Sequence, residues 1–189
     1  MSATEPIRDK SKLKALANYY LKRKSYRNYA LVIVALYTAL RISDVLSLTW
    51  DDVFDENTSS FRTHLTITEK KTRKERTIAL NSQVLFALGM LIEERRSAFI
   101  FANNRADAKH ISRVQAWRIL KAAIEAIGLK GCIACHSLRK TFGYFAFKSG
   151  VSPVMLMDLY NHSSFETTKR YLGITQDDRD KVFLDMVLV

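Results

Sequence analysis

The chain has 189 residues, 48% of them hydrophobic, which is enough to bury a core and excludes disorder of the whole chain. Its 30 lysines and arginines against 19 acidic residues give a formal charge of +11, the balance of a domain that meets a polyanion. The opening residues, MSATEPIRDKSKLK, hold no apolar signal core, and the longest apolar run, residues 30–37, is too short to cross a bilayer. A cytoplasmic, nucleoid-associated protein with no membrane partner is therefore expected.

In chain order, residues 1–10 read as an arm. Ser11 is placed to cap a helix whose Leu13, Leu16, Ala17, Tyr20 and Leu21 share one face. A second helix, over residues 26–39, is apolar almost all round and should be buried. Ser43 reads as the next cap, with Asp44 in the favourable first turn and a short helix over residues 45–48. Polar residues 51–60 read as a loop. Residues 61–68 and 76–80 alternate apolar with polar and are rich in Thr and Ile, so they read as strands. The basic stretch EKKTRKE joins them, giving a β-hairpin with a positively charged tip. A helix over residues 83–94 follows, and residues 98–101 are a candidate third strand. Ser112 opens a long helix that stops near Gly128, and His136 opens another that stops at Gly150. Ser152 and Pro153 supply a cap and a first helical position. Ser163 and Glu166 form a capping box for a helix that carries Tyr171. From Thr175 the tail reads as an amphipathic helix with Val182, Phe183, Met186 and Val187 on one side. The fold class is thus mainly α with a small antiparallel β-sheet (α+β), in one domain over residues 1–189 with a tail helix over 175–189.

The spacing of Cys132 and Cys135 is that of half a zinc site or of a redox pair. Zinc needs a second pair of ligands, and the sequence has no further CxxC or HxxxH. A redox pair belongs in a βαβ context that is absent here, so two reduced thiols are expected. Asp51 with Asp52, and Asp177, Asp178 and Asp180, lack the spacing of a calcium loop or a two-metal site. No phosphate-binding G-x-x-x-x-G-K-[ST] loop occurs. No metal and no cofactor are expected.

The chemistry is carried by Arg41, Lys71, His136 with Arg139, His162 and Tyr171. Each alone has a plain structural explanation. Arg41 can be a surface residue, Lys71 part of a solvated basic turn with Lys70 as the lesser alternative for its role, His136 and Arg139 a pair one helical turn apart, and Tyr171 core. Together and in this order they resemble the tyrosine recombinases. TALRISDVLSL is similar to that family's first arginine motif, CHSLRKTFGYFAFKSG to its H-x-x-R helix, and EKKTRKERTIAL to the hairpin that carries its lysine. LMDLYNHSSFETTKRYLGI resembles its closing motif, in which a histidine precedes the nucleophilic tyrosine by nine positions, as His162 precedes Tyr171.

The resemblance implies the catalytic-domain fold of that family and a site-specific recombinase that cleaves and rejoins double-stranded DNA through a 3′-phosphotyrosine, without metal or ATP. Tyr171 would attack phosphorus, and Arg41 and Arg139 would clamp the non-bridging oxygens with charge-assisted hydrogen bonds. Lys71 would protonate the leaving 5′-hydroxyl, His136 would exchange a proton with the tyrosine, and His162 would donate to the phosphate. Asp44 would orient an arginine or histidine. Lys70, Arg73, Lys74, Lys140, Lys169 and Arg170 are the expected DNA contacts. The chain is expected to assemble as a dimer or tetramer on DNA, with a free monomer also possible. It departs from the family in having Tyr160-Asn161 where Leu-Gly is usual. Asn is the next best residue for a left-handed backbone, so the turn should survive. A chain without a separate N-terminal core-binding domain is the expectation, by similarity to the short, catalytic-domain-only invertases; a fragment of a longer integrase fits equally. The alternatives are a non-recombining DNA-binding remnant and a type IB topoisomerase-like activity.

Overall fold

The computed structural model describes residues 4–103, 109–174 and 176–187. Helix α1 (Lys10–Leu21) begins two residues earlier than Ser11 suggests. The carboxylate of Asp9 accepts the backbone N–H groups of Ser11 at 2.7 Å and Lys12 at 3.4 Å. A carboxylate outcompetes a nearby hydroxyl there because the helix N-terminus favours negative charge. Helix α2 (Tyr26–Tyr37) is buried along its centre, from Tyr29 to Ala35, as its all-round apolar sequence requires. It ends before residue 39 because Ala39 adopts a left-handed backbone, φ 52°. That turn leads directly into α3 (Ile42–Leu46), where Arg41 holds the N-cap position and Ser43 lies inside the first turn. The expected Ser43 cap and the 45–48 helix are thus both displaced toward the N-terminus.

Residues 51–60 are more ordered than a polar loop. A 3-10 turn, Trp50–Asp52, leads into β1 (Phe54–Asp55), which pairs antiparallel with β2 (Ser60–Phe61). Buried Trp50 and Val53 tie this stretch to the core despite its acidic neighbours. The expected strand 61–68 is therefore split, and β3 (His64–Thr68) pairs with β4 (Glu75–Ala79) from His64–Ala79 to Thr68–Glu75. Residues 98–101 form no third strand. Phe99 makes an isolated bridge with Thr49 instead.

Helix α4 (Ser82–Ile92) is capped by Asn81, and α5 (Arg113–Ala126) by Ser112 as predicted. Helix α6 (Cys135–Lys148) and α7 (Pro153–Leu159) follow, the latter with the expected Ser152 cap and leading proline. Helix α8 (Phe165–Leu172) is capped by Ser164, one residue later than predicted, so Ser163 and Glu166 make no capping box. Glu166 instead lies 3.9 Å from Lys169, one turn along. Helix α9 (Gln176–Leu184) ends before Met186 and Val187, which breaks up the expected apolar side; Val182, Phe183, Leu184, Met186 and Val187 are all exposed.

Among the described residues the fold is mainly α with two small antiparallel sheets, β1–β2 and β3–β4. The main core gathers side chains from α1 through the start of α6, among them Leu16, Val34, Leu46, Leu65, Leu88 and Leu120. A second, smaller cluster of Ala39, Leu156, Tyr160 and Leu172 holds α7 and α8 against α6. Among the described residues no helix is long and apolar enough to cross a membrane.

Candidate active site

Helix α6 delivers His136 and Arg139 from one face, one turn apart. Arg139 is almost wholly buried and is held by backbone: it donates to the carbonyl of Ala39 and, at 3.1 Å, to that of Tyr160. The left-handed turn at Ala39 thus supplies one of its acceptors. The guanidinium lies 4.6 Å from the Tyr160 ring centre and 5.9 Å from that of Tyr171. Burial, with the charge of Arg41 next, pushes its pKa down from the usual arginine value.

Tyr160 completes the enclosure. Its hydroxyl donates to the Arg139 carbonyl at 2.8 Å, and burial drives its own pKa upward. Gly143 makes the approach possible, since a Cβ there would stand 2.6 Å from the Tyr160 hydroxyl oxygen.

The hydroxyl of Tyr171 lies 2.7 Å from Nε2 of His136. His162 packs on the other side, 4.7 Å from the Tyr171 ring and stacked on Tyr160, with Nδ1 2.9 Å from the hydroxyl of buried Thr168. Both imidazoles are lowered to about 4, for His136 by burial and then by Arg139, Lys140 and Arg41, and for His162 by burial and then by Arg139 and Arg41. Asn161 takes φ 52°, the left-handed backbone expected of it, and the His162 N–H reaches back to the Met157 carbonyl at 3.0 Å.

The hairpin supplies the other half of the site. Glu69, with no solvent exposure, sits where its turn begins, with both oxygens engaged. One accepts from Arg41 at 2.7 Å and from the Thr72 hydroxyl at 2.7 Å. The other accepts from Arg76 at 3.1 Å and lies 3.9 Å from Arg139. Burial alone would raise this carboxyl, but Thr72, Arg41 and Arg76 outweigh it and hold the pKa near 2. Asp44, also buried, accepts the backbone N–H of Lys70 at 3.1 Å, so it anchors the hairpin turn where the sequence suggested an arginine or histidine partner. Lys70, Lys71, Arg73 and Lys74 stand exposed on that turn, with Arg73 at φ 57°.

Of the other expected DNA contacts, Lys169 is exposed, whereas Lys140 turns inward. Its ammonium donates to the Thr4 carbonyl at 2.6 Å and lies 5.7 Å from the Tyr171 ring. The side chain of Arg170 lies outside the described residues. Cys132 and Cys135 are both unbridged, and burial lifts the Cys135 thiol to about 11. Glu69, Arg76, Tyr160 and Thr168 were not evident as site residues from the sequence. The strand alternation Leu65, Ile67, Glu69 was the available signal for the first of them.

The arrangement has known counterparts. Residues 8–177 match the model of the phage integrase family. A probable integrase/recombinase of Bacillus subtilis, YoeC, is 37% identical over 178 residues, which are 94% of this chain and 93% of the relative. The tyrosine recombinase XerD of Corynebacterium glutamicum is 32% identical over 164 residues, 83% of this chain but 51% of the relative, so the chain spans about half of that protein. Among solved structures, XerA recombinase superposes with a TM-score of 0.77 at 19% identity, over 97% of this chain and 66% of that one. XerH bound to its palindromic difH substrate, in a post-cleavage complex, also gives 0.77 at 19% identity, over 97% of this chain and 53% of that one. With a tyrosine on a histidine and three arginines around one carboxylate inside a matching fold, the chain belongs to the phage integrase family of tyrosine recombinases.

Proposed function

We propose that this chain cleaves and rejoins double-stranded DNA at specific sites through a 3′-phosphotyrosine, using neither a metal ion nor ATP. The observation that carries this reading is the 2.7 Å contact of the Tyr171 hydroxyl with His136, beside a buried carboxylate that bonds Arg41 and lies 3.9 Å from Arg139. The Tyr171 oxygen bonds to phosphorus while its proton passes to His136, whose depressed pKa leaves it neutral and able to accept near pH 7. Arg41 and Arg139 stabilise the charge that builds on the non-bridging oxygens, the task a divalent cation performs in many nucleases. The bond from phosphorus to the 5′ oxygen breaks, and Lys71 supplies that oxygen with a proton. A 5′-hydroxyl from a second strand then attacks the phosphotyrosine, forms a new phosphodiester and releases Tyr171. The phosphotyrosine preserves the energy of the broken linkage, so the exchange needs no nucleotide hydrolysis.

DNA is the proposed partner, met through the exposed Lys70, Arg73, Lys74 and Lys169, and two or four copies assemble on it. The exposed Val182, Phe183, Leu184, Met186 and Val187 of the tail are the proposed contact between copies.

The test is a nicked duplex carrying the target site, incubated in excess EDTA without nucleotide. The wild-type chain forms a covalent protein–DNA adduct, and Tyr171→Phe binds the same duplex without forming one. An adduct formed by the Phe variant, or strict Mg²⁺ dependence of the wild type, overturns the reading.

A further inference from the structure

Glu69 joins two parts of the site with different proposed tasks, the grip on the non-bridging oxygens and the protonation of the leaving oxygen. On one side it holds Arg41 at 2.7 Å and stands 3.9 Å from Arg139. On the other it belongs to the turn that carries Lys71. The turn closes on its backbone, with the Glu69 N–H donating to the Lys74 carbonyl and the Arg73 N–H to the Glu69 carbonyl, both at 2.9 Å. The residues flanking Lys71 are each tied to a buried carboxylate: the Lys70 N–H to Asp44 at 3.1 Å, and the Thr72 hydroxyl to Glu69 at 2.7 Å. The backbone at Lys71 is therefore fixed on both sides while its long side chain remains exposed.

We propose that Glu69 is a positioning residue that couples the Lys71 turn to the Arg41–Arg139 clamp, so that one carboxylate sets both the grip on the phosphate and the placement of the leaving-group acid. A point charge on a flexible stem delivers a proton only from the right anchor, because general acid catalysis requires the donor within hydrogen-bond reach of the leaving oxygen. The bond from Thr72 makes that anchor the same group that aligns Arg41. A carboxylate serving only as a buried counter-ion would affect folding and all substrates alike. A positioning carboxylate instead affects most the step that needs the proton. This inference rests on the assignment of Lys71 as general acid.

The experiment compares single-turnover cleavage of two duplexes, one with the natural 5′ oxygen at the scissile linkage and one with sulfur in its place. Sulfur leaves without a proton, so the ratio of the sulfur rate to the oxygen rate reports how much the general acid contributes. Lys71→Ala is the reference and raises that ratio. Glu69→Gln is expected to slow cleavage of the oxygen duplex by about 100-fold and to raise the ratio by about tenfold or more, within the range a general acid supplies. DNA affinity, read by gel shift, is expected to hold or tighten, because a negative charge leaves the arginine cluster. Thr72→Val removes only the hydroxyl bond and raises the ratio in the same direction, so it decides the matter if Glu69→Gln fails to fold by circular dichroism. If Lys71→Ala raises the ratio while Glu69→Gln and Thr72→Val leave it at the wild-type value, the coupling is overturned and the general-acid assignment stands. If Lys71→Ala itself leaves the ratio flat, the general-acid assignment fails and the coupling with it.

Discussion

At the scale of single residues, Gly143 limits the site through what it lacks. In an open helix interior, replacing glycine with alanine stabilises by about 1 kcal/mol, because alanine loses less backbone entropy. In α6 the added methyl would stand 2.6 Å from the hydroxyl oxygen of Tyr160 and 3.1 Å from its ring. Tyr160 is fully buried and cannot swing aside. Gly143→Ala is therefore expected to destabilise the chain by about 1–3 kcal/mol, the usual cost of overpacking. It should also lower cleavage more than it lowers DNA binding, because Tyr160 holds Arg139 and stacks on His162. Thermal melting and single-turnover cleavage check both, and an alanine variant more stable than wild type would contradict the packing. The motif residues Arg41, His136, Arg139, His162 and Tyr171 were legible because their order and spacing survive in the sequence. Glu69 was not, because it opens a run of charges that reads as a solvated tip. Period-2 alternation continues inward from Leu65 through Ile67 to Glu69, and on β4 the half-buried Arg76 and Ile78 share the inward side. Charge composition and strand period gave opposite answers there, and the strand period agrees with the observed burial.

At the scale of elements, the start of α6 explains why a histidine lies neutral beside the tyrosine. Burial and then Arg139 lower the pKa of His136, and its place in the first turn of a 14-residue helix, whose N-terminal end disfavours positive charge, acts in the same direction. Its folded pKa near 4 lies below the ordinary 6.5, as does that of His162. Between those values the unfolded chain takes up protons that the folded chain refuses. Stability is therefore full above pH 6.5 and is lost as pH falls toward 4. Glu69, lowered from 4.5 to about 2, extends the loss below pH 4.5, where the unfolded carboxyl protonates first. Melting temperature measured from pH 7 to 4 is expected to fall. His136→Asn and His162→Asn should each flatten the part between 6.5 and 4, and an unchanged slope in both would show that the imidazoles are not held neutral. Elements with strong signals, such as α2, the Ser112-capped α5 and the Ser152-Pro153 start of α7, were legible from apolar content and caps. Cap positions slipped where two candidates stood close together, as with Asp9 and Ser11, or Ser163 and Ser164. The split of the 61–68 strand was illegible because Trp50 and Val53, which draw the acidic stretch into the core, lie outside any periodic run.

At the scale of the whole molecule, the site is assembled from α3, the β3–β4 hairpin, α6, the turn after α7, and α8. These elements do not share one core. Arg41, Glu69 and the start of α6 rest on the large cluster, while the segment bearing His162 and Tyr171 rests on four buried residues, Ala39, Leu156, Tyr160 and Leu172. Each fully buried apolar side chain contributes about 1.5–3 kcal/mol, so a cluster this small opens at far lower cost than the rest. In hydrogen–deuterium exchange, amides of α7 and α8 are expected to exchange much faster than those of α2, and at a rate insensitive to substitutions deep in the main core. Equal protection across all three helices would show that the chain opens only as a unit. A protein that spends a share of its time with the segment of the proposed nucleophile open has no cutting reagent during that time. A phosphate bridging the arginines to the histidines, as the proposed function requires, would then also be the clasp that shuts this segment, so that exposure of the tyrosine would be timed by the arrival of that phosphate.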